Sequence, residues 1–371
     1  MNKTTKLNVL QLISSLDVGG AEKLLIDFLK ASKENPEDFN FTTVVMNDKI
    51  NDDLKNDILN IGYDVYFFNR PQGHKHPKYL FQLLDIIKKK NIHIIHSHNN
   101  GSKFWSVLCK LLYPKIKTVY TVHDTNIVSQ MGKTELFIQK HLININIAIS
   151  KAVEDECKQF GVENVTKIYN GINTKNFHQE KQPKNTDIFK IINISRITHS
   201  KKGQDILIKA LKVCKDKGMK FVCDFVGGVY KYDTESYSYL TNLVKELELE
   251  NNIEFLGNRT DVPNLLSNAN LFVLPSRYEG LGLVVLEAMA SKVPVIVSNI
   301  DGPAELVTHE QNGLLFENEN HLDLADKILY LYNNREKMQE LAQNAYEHVQ
   351  DFDISIMCKN YYNLYKELKQ V

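Results

Sequence analysis

Short runs of almost unbroken apolar residues alternate along this chain with longer stretches whose apolar positions recur every three or four residues. The first kind, at 6–13, 41–46, 64–68, 92–97, 118–122 and 144–149, predicts strands buried on both faces. The second kind, as at 21–29 and 80–89, predicts the helices between them. Strands alternating with helices imply a parallel sheet covered on both faces. The rhythm breaks at 176–186, a polar stretch holding Lys181, Pro183 and Lys184. It resumes with strands at 190–194, 221–226, 253–256, 271–274 and 294–297. The pattern therefore predicts an α/β protein of two doubly wound domains, 1–175 and 187–353, and a last helical segment at 354–371. Open parallel sheets bind ligands beyond the C-terminal ends of their strands. Two such domains facing each other would place a site in the cleft between them.

Composition narrows this picture. The chain has 371 residues and 45 Lys+Arg against 45 Asp+Glu, with 43% hydrophobic and 24% charged residues. High apolar content and zero net charge exclude disorder as the main state. The zero balance also argues against a dedicated nucleic-acid binder. No apolar run nears the roughly 18 residues of a membrane span. The first twelve residues carry two lysines and a short apolar stretch, which reads as a first strand rather than a signal peptide. Cys109, Cys157, Cys214, Cys223 and Cys358 are odd in number and form no Cys-x-x-Cys pair. They read as reduced thiols of a cytoplasmic protein, small core residues rather than a framework. Charge divides unevenly, with 23 Lys+Arg and 18 Asp+Glu in 1–175 against 22 and 27 in 176–371. The basic half includes NRPQGHKHPK at 69–78 and the run of Lys88, Lys89 and Lys90. Such a patch suits anionic lipid or a phosphorylated acceptor. The plain alternative is a solvated helix face.

Three segments carry chemistry. The first is LPSRYEGLGLVVLEAMASKVPVIVS at 274–298. A strand ends, a Gly-rich turn follows, and an apolar helix opens near Leu283. Gly280 and Gly282 allow close backbone approach, and amides at a helix start favour an anion. Glu279 sits in the turn, at the rim of such a site, and Glu287 lies inside the helix, near its floor. A carboxylate there can accept two ribose hydroxyls. The second segment is ISRITHSKKG at 194–203, where Arg196 follows a strand and Lys202 precedes a helix. A guanidinium and an ammonium suit a departing diphosphate. The third is SSLDVGGAE at 14–22, where Gly19 and Gly20 stand at a helix start. It is neither Gly-x-Gly-x-x-Gly nor Gly-x-x-x-x-Gly-Lys-Ser/Thr, so neither a dinucleotide fingerprint nor an ATPase loop is present.

Taken together with TVHD at 121–124, AIS at 148–150 and YNGI at 169–172, these segments resemble a family 4 glycosyltransferase of the GT-B fold. The resemblance spans nearly the whole chain. Its most specific element is the pair Glu279 and Glu287, with seven residues between, in their PSRYEGLG…LEAMA context. It implies two Rossmann-like domains facing across a cleft, acceptor domain first, with the C-terminal helix packing back on the first. It implies a retaining transfer of sugar from a nucleotide sugar, UDP by default, to a hydroxyl of a glycan or polyprenyl-linked acceptor in surface-polysaccharide synthesis. Arg196 and Lys202 would bind the diphosphate and stabilise it as leaving group. Glu287 would hold the ribose, and Glu279 the donor sugar near its anomeric centre. The Leu281 and Gly282 amides, beside Gly280, would complete the donor contacts. Gly19 and Gly20 would close on the diphosphate from the other domain, and His123 would line the reaction centre. Front-face substitution needs no side-chain nucleophile and no cofactor. Two departures stand out. Gly171-Ile172-Asn173 replaces a common Gly-Ile-Asp, and one extra residue follows Arg196, so that Lys201 competes with Lys202.

His93, His96 and His98 lie close together, with His96 and His98 on one strand face. No cysteine or carboxylate joins them to make a zinc site, so packing or acceptor contact is expected, and no metal. For His123 a buried structural role is the plain alternative. Asp351-Phe352-Asp353 reads as loop and cap chemistry. The partners expected are a nucleotide-sugar donor, a glycan or polyprenyl-linked acceptor and an anionic membrane surface met by the first domain at the inner face, and no nucleic acid. The rival functions are a nucleotide-sugar epimerase, a sugar phosphorylase or a non-catalytic sugar-binding scaffold.

Overall fold

A computed structural model divides the chain into two units, Met1–Gly171 with Ile354–Val371, and Ile172–Asp353. It describes residues 6–17, 19–34, 39–177, 188–229 and 234–370. Most of the polar stretch at 176–186 lies outside the described residues, and the change of unit falls just ahead of it.

The first unit is built on strands β1 (Leu7–Ile13), β2 (Phe39–Asn47), β3 (Asp64–Arg70), β4 (Ile94–Ser97), β5 (Lys117–Val122), β6 (Ile145–Ala148) and β7 (Val165–Lys167). They form one 7-stranded sheet in the order β3-β2-β1-β4-β5-β6-β7, and every pair is parallel. The second unit holds β8 (Phe189–Ile194), β9 (Phe221–Val226), β10 (Ile253–Gly257), β11 (Leu271–Leu274), β12 (Val295–Ser298) and β13 (Leu314–Phe316). These form a 6-stranded parallel sheet in the order β10-β9-β8-β11-β12-β13. Both sheets are doubly wound. Central strands are mostly apolar because helices cover both faces; every residue of β11 and β12 is buried.

The C-terminal helix, Ile354–Gln370, belongs to the first unit. Its Met357, Tyr361, Tyr362 and Tyr365 are buried. Tyr362 stacks on Phe39 of β2 at 4.7 Å between ring centroids, and Tyr361 meets Phe28 edge-on at 5.4 Å. Such aromatic pairs add about 0.5–1.5 kcal/mol each beyond their buried area. All five cysteines are buried and free. Among the described residues no helix is long and apolar enough to cross a membrane.

Strand order reverses between β1 and β4 in the first sheet and between β8 and β11 in the second. Neighbouring connections there leave to opposite faces, which opens a crevice at the strands' C-terminal ends. At the first reversal Ser14 Oγ donates to Asn99 Oδ1 at 2.5 Å. Asn99 also caps the helix Asn100–Leu112 through a capping box with Ser102.

Candidate functional site

The second reversal gathers Arg196, Lys202 and Glu279. Chain leaving β8 turns at Ser195 and Arg196 into a short helix, His199–Lys202. Gly203 ends that helix in the left-handed region, φ +64°. A Cβ there would run into the Pro275 carbonyl oxygen, so only glycine fits. The carbonyl belongs to the chain leaving β11, and Gly203 thus lets the two loops touch. Gln204 holds the first loop from behind, its Nε2 donating to Ser195 Oγ at 3.0 Å and to the Arg196 carbonyl at 2.7 Å. Arg277 ties the second loop to the first. Its guanidinium grips Asp205 with two hydrogen bonds, at 2.9 and 3.0 Å, and donates to the His199 carbonyl at 2.6 Å. Its backbone N–H donates to Lys201 O at 2.8 Å.

This clamp sets the reach of the two lysines. Lys202 Nζ donates to Glu279 Oε2 and forms an ion pair with it, the two side chains being only 15% and 16% exposed. Lys201 turns its ammonium over the Tyr278 ring instead, 4.8 Å from the centroid. Burial alone would raise the Glu279 carboxyl. The Lys202 ammonium outweighs it, with Lys201 and Arg196 adding to the effect, and the carboxyl is held below its ordinary value. Glu279 is more enclosed than a rim position suggests. The turn 280–282 leads to the helix Leu283–Ala290, capped by Gly282 at φ 87°. Gly302 stands beneath that turn, where a Cβ would strike the Glu279 carbonyl and Gly280. Glu287 is buried in the helix.

The first reversal gathers His123 with His96 and His98. His96 lies in β4 and His123 follows β5. The His96 and His98 rings lie 4.3 Å apart, and the His98 and His123 rings 5.8 Å apart. Gln11 of β1 and Tyr365 of the C-terminal helix complete the cluster. His98 Nε2 bonds Gln11 Oε1 at 2.7 Å, Gln11 Nε2 donates to Tyr365 Oη at 3.3 Å, and Tyr365 Oη bonds His96 Nδ1 at 2.7 Å. His96 Nε2 meets Thr121 Oγ1 at 2.7 Å. Each proton can then be placed. The Gln11 carbonyl oxygen only accepts, so His98 carries its proton on Nε2. Tyr365 receives a hydrogen from Gln11 and gives its own to His96 Nδ1, so His96 donates from Nε2 to Thr121. Burial pushes His96 down to about 3 and His123 down to about 4, and holds His98 well below its ordinary value. All three are neutral at pH 7. His123 Nε2 is buried without a hydrogen-bond partner.

A small pocket at this cluster is walled by Leu24, Leu25 and Phe28. They lie on the helix Gly20–Glu34, which Gly20 opens and Gly19 precedes. Among the described residues no group of three His, Cys, Asp or Glu side chains is arranged to hold a metal ion. Asp353 accepts from Thr174 Oγ1 at 2.8 Å. Sequence reasoning misses Gln11, Tyr365, Gln204 and the Arg277–Asp205 clamp. Arg277 lies inside the segment 274–298 and Asp205 two residues past the segment 194–203, whereas nothing local marks Gln11 or Tyr365.

Residues 18–176 match the profile described as Glycosyltransferase Family 4, and 174–348 that of Glycosyl transferases group 1. An uncharacterized glycosyltransferase of Methanocaldococcus jannaschii is 31% identical over 291 residues, covering 76% of this chain and 78% of that one. The chain belongs to the family 4 glycosyltransferases. A second relative of this glycosyltransferase is the poly(ribitol-phosphate) alpha-N-acetylglucosaminyltransferase of Staphylococcus aureus, 33% identical over 244 residues, 63% of this chain and 47% of that protein. The glycosyltransferase also shares its GT-B fold with the Anabaena protein HepE solved with UDP, at TM-score 0.83 and 24% identity over 97% of this chain and 100% of that one.

Proposed function

We propose that this glycosyltransferase moves a sugar, with retention of configuration, from a UDP-sugar to a hydroxyl of a glycan or polyprenyl-linked acceptor in bacterial surface-glycan synthesis. The observation that carries the reading is the meeting of Arg196, Lys202 and Glu279 at the reversal of the second sheet. Ligands of doubly wound sheets bind at that position. Support for the substrate classes comes from relatives. HepE was solved with UDP and with UDP-glucose, and the Staphylococcus aureus relative is named for transfer of N-acetylglucosamine to poly(ribitol phosphate).

Arg196 and Lys202 would take the diphosphate, whose charge grows as the glycosidic bond breaks. Donors already in place need no reorganisation, which is why such groups lower a barrier. Glu279 would accept from donor-sugar hydroxyls and hold Lys202 meanwhile. Glu287 would accept from the ribose, and the Gly280, Leu281 and Gly282 backbone would approach the phosphates. Gly19, Gly20 and His123 are the first unit's candidates for the diphosphate, acceptor and transferred sugar. Neutral His123 would offer one ring nitrogen as donor or acceptor without carrying charge into the site. The acceptor proton would pass to the leaving phosphate oxygen on the same face. Arg196 and Lys202 neutralise the leaving group in this scheme, so no metal is required. A lipid-linked acceptor would bring the enzyme to the cytoplasmic face of a membrane, which suits its basic first half.

Thermal unfolding with a panel of nucleotide sugars tests this. A ligand at about 100 times its Kd adds roughly 2.7 kcal/mol of stability. One UDP-sugar should raise the melting temperature, in EDTA as in buffer, and Arg196→Ala should abolish the rise. Stabilisation by no nucleotide, or full stabilisation in Arg196→Ala, overturns the donor assignment. Hydrolysis or epimerisation without acceptor would instead favour a different reaction on the same fold.

A further inference from the structure

The extra residue after Arg196 sets two lysines side by side before Gly203, and each finds its own partner in the loop that leaves β11. Consecutive residues of a helix point about 100° apart. Lys202 accordingly pairs with Glu279, and Lys201 lies over Tyr278, the residue before it. The Lys201 backbone is fixed at both ends. Its N–H donates to the Thr198 carbonyl at 3.0 Å, and its carbonyl accepts from the Arg277 N–H at 2.8 Å. The side chain is held more loosely. Its ammonium sits 4.8 Å from the centroid of the Tyr278 ring, a residue 41% exposed. A cation over an exposed ring is favoured by only about a factor of two to five.

Charge supplies a reason to move. A nucleoside diphosphate sugar carries a negative charge on each phosphate. The pair of Lys202 and Glu279 has no net charge, so two phosphates ask for more cation than Arg196 supplies. A further negative charge develops on the leaving oxygen as the glycosidic bond breaks, until the acceptor proton reaches it. From its seat on the ring Lys201 is already close enough for its charge to act on the Glu279 carboxyl. Rotation of its flexible stem carries the ammonium off the ring while the backbone stays where Thr198 and Arg277 hold it. Bracing the two loops is not a sufficient role for the contact. Arg277 already joins them through three hydrogen bonds, two to Asp205 and one to the His199 carbonyl.

We propose that Lys201 is a second lysine for the donor diphosphate, exchanging its seat on the Tyr278 ring for a phosphate oxygen as the donor binds. The proposal rests on the donor reading and adds a residue to it. An ammonium on a charged oxygen makes a charge-assisted hydrogen bond, stronger than its hold on an exposed ring, so the exchange is favourable. Lys201, Lys202 and Arg196 against Glu279 then sum to two positive charges, matching the two phosphates. Tyr278 keeps the ammonium beside the site at a cost small enough for the phosphate to overcome.

Calorimetric titration of the full-length protein with UDP, and with uridine as the uncharged reference, tests this. Lys201→Gln removes the charge and should weaken UDP about tenfold, less in high salt, while leaving uridine unchanged. Lys201→Arg should restore most of the affinity. Tyr278→Leu should act in the opposite direction and tighten UDP about two- to fivefold, because the ammonium no longer has a ring to leave. In a Lys201→Gln background Tyr278→Leu should change nothing, and that non-additivity identifies the ring as the seat of this ammonium. An unchanged melting temperature verifies each fold. UDP bound equally by the parent and Lys201→Gln overturns the proposal and leaves the donor reading standing. Uridine weakened as much as UDP also overturns it, since the loss then comes from the shape of the loop. So does a Tyr278→Leu variant that binds UDP more weakly, which would make the ring the working position of the ammonium. A parent that binds neither UDP nor any UDP-sugar overturns the donor reading and this proposal with it.

Discussion

At the reversal of the first sheet, Gln11, His96, His98 and Tyr365 are sealed from water and carry no charge. At the reversal of the second, Lys202 and Glu279 are nearly as enclosed and are both charged. The same topological position thus meets the cost of buried polarity in two ways. Neutral groups need a directed chain of hydrogen bonds, since each donor must find an acceptor. Charged groups need one another, and losing either leaves an uncompensated charge. The first arrangement fixes shape and tautomer. The second can exchange its partner for a ligand, because a phosphate can replace the carboxylate beside an ammonium.

The largest expected effect comes from breaking the charged pair. Lys202→Ala should lower kcat/KM for the UDP-sugar by about 10²–10³-fold, the usual loss for one preorganised donor to a developing charge. Glu279, still enclosed and without its ammonium, should then titrate above its ordinary value. An acid limb moving upward in the kcat/KM profile would report this. Lys201→Ala should cost far less, because that ammonium lies over Tyr278. Equal losses at both lysines would mean that the pair merely braces the loop.

A pH titration separates the two regions next. His96 and His123 titrate in the fold near 3 and near 4, whereas an unfolded imidazole titrates at about 6.5. Below pH 6.5 the unfolded chain therefore binds the extra protons. The stability that these residues contribute is complete above that value and is lost as pH falls. The slope is about 1.4 kcal/mol per pH unit per histidine, or roughly 2 kcal/mol each by pH 5. Glu279 and Asp205 are held below ordinary carboxylate values, so their contribution is present above about pH 4.5 and lost below it. The first unit should thus weaken at a higher pH than the second. Trp105 is the only tryptophan and lies in the first core. Between pH 6.5 and 5 the urea midpoint seen by its fluorescence should fall further than the midpoint seen by circular dichroism. Midpoints that fall together would refute separate acid responses.

Unequal legibility in the sequence follows from the same contrast. Strands such as β11 and β12 are visible because burial on both faces demands unbroken apolar runs. β7 and β13 escape notice because three residues make no run. The pattern of Glu279 and Glu287 within a Gly-rich turn is local, and so is Arg196 after a strand. The choice between Lys201 and Lys202 is not local. It depends on Gly203 and Arg277 pulling two loops together across 72 residues of chain. The neutral cluster is less legible still. Gln11 and Tyr365 are 354 residues apart, and neither lies in a motif. The close histidines are noticed, but their tautomers depend on a helix at the far end of the sequence.

The smallest expected effect is also the most specific to the neutral cluster. Tyr365→Phe keeps the ring that packs near Phe39 and removes one hydroxyl. Gln11 Nε2 then has no acceptor and His96 Nδ1 no donor, both in a dry interior. Leaving such groups unpaired costs about 1–3 kcal/mol, read as a lower urea midpoint of Trp105 fluorescence. The repair open to the cluster is to turn the Gln11 amide, which would present N–H groups to His98 Nε2 and force its proton to Nδ1. Nitrogen–proton correlation spectra of the imidazoles distinguish these states directly. The parent should show His96 and His98 each as a single neutral tautomer protonated on Nε2, and the variant should show His98 shifted or mixed. An unchanged midpoint with unchanged tautomers would mean that packing alone orients the histidines and that the hydrogen-bonded chain from Tyr365 contributes nothing to them.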